Sequence, residues 1–143
     1  MGEKCSAIIV DDDQAFAEFL REIFEESGMW NVTGIFHDLT DFFSTIPPDL
    51  VLAQQLLPDL LVLDVLSSRT VLTDIVPTTG LQIALILRNF NLTFGTLFIS
   101  SMRSESLLPM VRAQHPQGWA YLTKSPSLTP KEILLAAEQA LVT

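Results

Sequence analysis

Ala7-Ile8-Ile9-Val10-Asp11-Asp12-Asp13 is an apolar run that stops abruptly on acid. Leu60-Leu61-Val62-Leu63-Asp64 repeats the pattern. Short, wholly apolar runs bounded by polar residues read as strands buried on both faces, which is the condition of a parallel sheet. In open sheets of that kind, ligands bind outside the carboxyl ends of the strands. If the two runs are neighbouring strands, their aspartates converge. Carboxylates held that close repel one another unless a cation sits among them. The two runs therefore predict a metal-dependent acidic site.

Working outward, strand-like runs alternate with helix-like segments, the βαβ signature of an α/β fold. Ala15 to Ser27 is amphipathic, with Phe16, Phe19, Leu20, Ile23 and Phe24 at helical spacing on one face and Gly28 as the stop. Val32 to Phe36 reads as a second strand. Leu39 to Gln55 is helical but must break at Pro47-Pro48. Leu60 to Asp64 is the third strand, and Leu81 to Phe90 is a helix that starts after the Thr78-Thr79-Gly80 turn. Thr96 to Ser100 is a fourth strand, Leu107 to Gln114 a fourth helical region, and Ala120 to Thr123 a fifth strand. Thr129 to Val142 closes the chain as a helix, with Thr129 as N-cap, Pro130 at the first helical position and Glu132 at the third. Ser67 to Gly80 is long for a βα loop, where about 2–6 residues are usual.

The 143 residues suffice for one domain with a sizeable core. Nearly half are hydrophobic, which argues against disorder. A formal charge of −9 argues against binding of nucleic acid or an anionic membrane by this segment. Cys5 is the only cysteine, so no internal disulfide can form. No secretory leader is visible, and no apolar run approaches the roughly 20 residues of a membrane span. A cytoplasmic setting is the expectation.

Four strand ends carry polar groups suited to one site: Asp11-Asp12, Asp64, Ser100 and Lys124. Magnesium prefers oxygen ligands and takes only one or two carboxylates. Asp11 and Asp12 can supply them, with Asp64 as a further ligand. An aspartate carboxylate can also attack a phosphoryl group and form an acyl phosphate. That reaction needs charge neutralisation and positioning. The metal would take one phosphoryl oxygen, the Lys124 ammonium a second and the Ser100 hydroxyl a third. Each residue alone has a plainer reading as loop, cap, turn or solvated charge; their order at four strand ends selects the site. A slip of one residue would substitute Asp13 or Ser101. Direct continuation from the apolar runs favours Asp11-Asp12 and Ser100.

This order resembles the receiver domain of two-component response regulators. The matching stretches are Ile9-Val10-Asp11-Asp12, Pro58-Asp59-Leu60-Leu61-Val62-Leu63-Asp64, Leu97-Phe98-Ile99-Ser100-Ser101 and Tyr121-Leu122-Thr123-Lys124. The resemblance covers essentially the whole chain. It implies a doubly wound five-stranded parallel sheet of flavodoxin-like order 2-1-3-4-5, with helices on both faces. It implies one receiver domain over residues 1–143, with any output domain beyond residue 143 outside this chain. Asp11 and Asp12 would hold Mg2+, completed by Asp64 and the backbone carbonyl of Leu66. Asp64 would be the phosphoacceptor, assisted by Ser100 and Lys124. Ser100 and Tyr121 would form the switch. The implied partners are a sensor histidine kinase or phosphotransfer protein, and a homodimer or output domain docked on the face around strand four, the fourth helical region and strand five. On this reading the chain is a phosphoacceptor rather than an enzyme, capable at most of catalysing its own phosphorylation and dephosphorylation. The wording of strand four is like that of regulators with helix-turn-helix outputs.

The chain departs from the family in three places. Position 68 is serine where proline is frequent, the loop to Gly80 is extended, and Ser125 replaces the proline that usually follows the lysine. Two other readings stay open. One is a receiver-like interaction module that is not phosphorylated. The other is a phosphatase of the haloacid-dehalogenase type, for which Asp11 and Asp13 have the required spacing but the late acidic ligands are missing.

Overall fold

A computed structural model describes residues 3–64, 84, 86, 87, 89, 90, 92–100 and 118–141, without the Ser100 side chain. Five strands form one sheet: β1 (Cys5–Val10), β2 (Trp30–Phe36), β3 (Leu60–Leu63), β4 (Gly95–Ser100) and β5 (Trp119–Thr123). All pairings are parallel and the order is β2-β1-β3-β4-β5. This is the doubly wound order expected. The four residues of β3 are all buried, as a strand covered on both faces must be.

Two apolar layers flank the sheet. On one face, α1 (Gln14–Glu26) and α4 (Pro130–Ala140) cover Ala7, Ile9, Leu60, Val62, Leu97 and Ile99. On the other, α2 (Leu39–Ser44), α3 (Leu50–Leu56) and the helical residues around Leu87 cover Val10, Leu61, Leu63 and Phe98. The expected break at Pro47-Pro48 separates α2 from α3. Each of these short helices is capped by an aspartate, Asp38 on α2 and Asp49 on α3.

Three details differ from expectation. Phe19 is 39% exposed, and Ala17 takes the buried place on that turn of α1. Trp30 lies inside the core, edge-on to Phe24 at 5.2 Å between ring centroids, so β2 begins two residues early. Thr33 is an extra residue in β2 where the register with β1 shifts, and its hydroxyl donates to the Ala7 carbonyl at 3.4 Å. Cys5 is half-buried; burial, then the charge of Asp59, raises its thiol pKa.

The start of α4 matches its sequence signature. The Thr129 hydroxyl accepts from the Glu132 amide at 3.2 Å and donates to the Glu132 carboxylate at 3.0 Å. Thr129→Ala removes both bonds, and we expect a loss of about 1 kcal/mol in urea unfolding. A loss below a few tenths would show that packing of Ile133, Ala136, Ala137 and Ala140 alone holds this helix.

Leu66, Ser101, the Ser67–Gly80 loop and the Leu107–Gln114 segment lie outside the described residues. No helix among the described residues is long and apolar enough to cross a membrane.

Candidate functional site

The carboxyl ends of β1 and β3 are adjacent, because Val10 pairs with Leu63. The ladder runs one residue further on each strand. The Asp11 amide donates to the Phe36 carbonyl at 2.9 Å, and the Asp64 amide donates to the Val10 carbonyl at 3.3 Å. Backbone bonds thus set Asp11 and Asp64 side by side. Asp11, Asp12 and Asp64 each offer an oxygen within 4.8 Å of the others. Asp11 and Asp64 are buried, and Asp12 is half-buried. All three are hard oxygen donors, and that spacing fits a divalent cation of the magnesium type.

Lys124, one residue past β5, reaches across to this cluster. Its Nζ lies 2.9 Å from Asp11 Oδ2 and 3.3 Å from Asp64 Oδ2. A second bond runs to Asp11 Oδ1 at 3.2 Å. The Asp13 amide donates to the same Oδ1 at 2.9 Å. Burial raises the pKa of Asp11 in spite of these donors. Burial alone would lower the pKa of Lys124, but its bonds and charge attraction to Asp11 and Asp64 outweigh this and raise it. The ammonium therefore stays charged across the neutral range.

The Asp11 pKa is higher in the folded chain, so its contribution to stability is fully present below the unfolded carboxylate pKa. It is lost as pH rises through the raised folded value. At neutral pH the ionised Asp11 is a burden, since it is buried, shares its one ammonium with Asp64 and lies beside the charge of Asp12. Asp11→Asn keeps the shape and leaves Lys124 paired with Asp64. We expect the variant to be more stable at pH 7 by roughly 1 kcal/mol. The gain should fade in acid, where wild-type Asp11 is itself protonated. Urea unfolding at several pH values reads this, and equal stability at pH 7 would refute it.

Asp13 has another task. Its side chain accepts from the Phe16 amide at 3.1 Å as the N-cap of α1. It is committed to the helix, so the spacing that suggested a dehalogenase-type phosphatase has a structural explanation. His37 is a neighbour that the sequence did not flag: its Nδ1 lies 3.0 Å from the Asp11 backbone oxygen. Only the β1–β2 pairing makes this contact, so no local motif announces it.

Ser100 is the last residue of β4, opposite Thr123 of β5, which puts its backbone at the same end of the sheet. Tyr121 is half-buried on β5 opposite Phe98, packed against the layer that holds Trp119. The peptide bonds around Ser125 are trans, as are all those among the described residues.

No family model matches the sequence, and no curated protein matches it either. Solved structures do match in fold. The signal receiver domain of the response regulator NarL from Mycobacterium tuberculosis is similar at a TM-score of 0.70 and 25% identity, over 94% of each chain. RcsB from Salmonella enterica serovar Typhimurium, solved bound to a promoter in the presence of phosphomimetic BeF3−, gives 0.71 at 19% identity, over 96% of this chain and 98% of that one. A LuxR-family DNA-binding response regulator from Staphylococcus aureus gives 0.69 at 14% identity, over 95% and 98%.

Proposed function

For a chain that has the receiver-domain fold of response regulators, we propose the work of a phosphorylation switch in which Asp64 is the phosphoacceptor. The observation that carries this reading is the gathering of Asp11, Asp12, Asp64 and Lys124 at the carboxyl end of a β2-β1-β3-β4-β5 sheet. An ion pair alone would need one carboxylate. Three carboxylates around one ammonium leave negative charge for a cation to balance.

The step is a displacement at phosphorus. A carboxylate oxygen of Asp64 attacks the phosphoryl group of a phosphohistidine on a partner kinase or phosphotransfer protein. The P–N bond breaks, its electron pair returns to the imidazole nitrogen, and that nitrogen takes up a proton. Asp64 is left as an acyl phosphate. Asp11, Asp12 and Asp64, with the Leu66 carbonyl, would hold Mg2+, which when bound supplies charge neutralisation for the phosphoryl oxygens. Lys124 binds one phosphoryl oxygen through its ammonium, and Ser100 donates its hydroxyl to another. The added charge draws Ser100 inward and biases Tyr121, which changes the surface of β4, β5 and the 107–114 segment. Two of the three solved relatives are described as DNA-binding or promoter-bound. That supports a transcriptional output, reached by dimerisation or domain docking on this surface.

Intact-mass spectrometry after incubation with acetyl phosphate tests the reading. We expect one added phosphoryl group with Mg2+ and little or none with a chelator. No adduct under either condition would favour an interaction module that has kept the fold without the switch.

A further inference from the structure

Lys124 has a neighbour of a different kind. Its Nζ lies 4.7 Å from the centroid of the Phe16 ring, inside the roughly 6 Å over which an aromatic face attracts a cation. Its carboxylate partners are 2.9 Å and 3.3 Å away. The ammonium is thus shared between a ring face and two acids. Phe16 is well placed to stay there. It lies in the first turn of α1, and its own amide is the one that Asp13 caps. Its ring also leans on Phe19, with centroids 5.9 Å apart.

The proposed reaction sets Lys124 a difficulty. Both acids that hold it are candidate metal ligands, and one of them, Asp64, would become an acyl phosphate. Each event draws carboxylate charge away from the ammonium. The ring's attraction depends on neither. We propose that Phe16 is a positioning residue that keeps the Lys124 ammonium over the site while its carboxylates change partners, so that it is in place for a phosphoryl oxygen. This inference rests on the phosphoacceptor reading. It requires an aromatic face: leucine would fill the space but carries no ring quadrupole.

The test is a substitution series at position 16, labelled with acetyl phosphate at saturating Mg2+. Phe16→Leu is expected to slow labelling roughly three- to tenfold, while Phe16→Tyr and Phe16→Trp stay near the wild-type rate. In a Lys124→Met background, Phe16→Leu should make no further difference. Urea unfolding of the four proteins of the Phe16→Leu, Lys124→Met cycle, without metal or donor, should show a coupling of roughly two- to fivefold in the folding equilibrium constant. Wild-type labelling speed in Phe16→Leu overturns the inference and leaves the phosphoacceptor reading standing. Equal slowing in the leucine, tyrosine and tryptophan variants also overturns it, since that is the mark of packing. A wild-type chain that takes no label ends the phosphoacceptor reading, and the role of Phe16 with it.

Discussion

Asp64→Asn is expected to take up no phosphoryl group from acetyl phosphate under conditions that label the wild-type chain. Asparagine matches aspartate in size, and Lys124 keeps its stronger partner at Asp11. The fold should therefore survive. What disappears is the anionic oxygen that attacks phosphorus, since an amide oxygen is a far weaker nucleophile. A loss of at least about 100-fold in labelling rate is expected, the scale found when a nucleophile is removed and binding groups remain. Peptide mapping of the labelled wild-type chain should place the adduct on the peptide that holds Asp64. An undiminished adduct in the variant would move the acceptor to Asp11 or Asp12 and overturn the assignment of roles.

The second large effect lies far from the acids. Gly95 opens β4, with its amide bonded to the Asp59 carbonyl at 2.8 Å. A Cβ built there would overlap the Ala140 carbonyl oxygen and come within 2.9 Å of its carbon. Both are backbone atoms at the end of α4, so no side-chain rotation relieves the clash. Gly95→Ala must push β4 and α4 apart, across a layer where Ala136, Ala137 and Ala140 let the helix sit close to the sheet. A destabilisation of about 3 kcal/mol is expected in urea unfolding, and a fall in Tm on the order of 10 °C. A change under about 1 kcal/mol would mean that the end of α4 yields freely.

Whatever depended on consecutive residues was legible in the sequence. Five strands showed as largely apolar runs, most plainly β3, whose four residues are all apolar and all buried. The interruption at Pro47-Pro48 showed because proline cannot donate within a helix. Asp11, Asp64 and Lys124 showed because each directly follows a strand, and Asp12 because it comes next after Asp11; the structure brings these four together. Harder to read were contacts made by the third dimension alone. His37 meets the Asp11 backbone only through the pairing of β1 and β2. Nothing local in the sequence marks Gly95 as the place where the end of α4 lies against the sheet. Asp13 was obscured by its own neighbours, since a run of three acids does not say which one caps the helix. Phe19 misled because helical spacing marks a stripe wider than the strip α1 buries.

The amides of Asp11 and Asp64 are still held by the sheet ladder. The gap between the roots of these two side chains is therefore the pitch of a parallel sheet, about 4.8 Å, and the backbone acts as a ruler. What it demands of a sequence is short: an apolar run of the right count, then an acid. Helix faces, loop lengths and the surfaces shown to partners are released from that demand. The distance between the two acids is set before any loop length or outer surface is chosen.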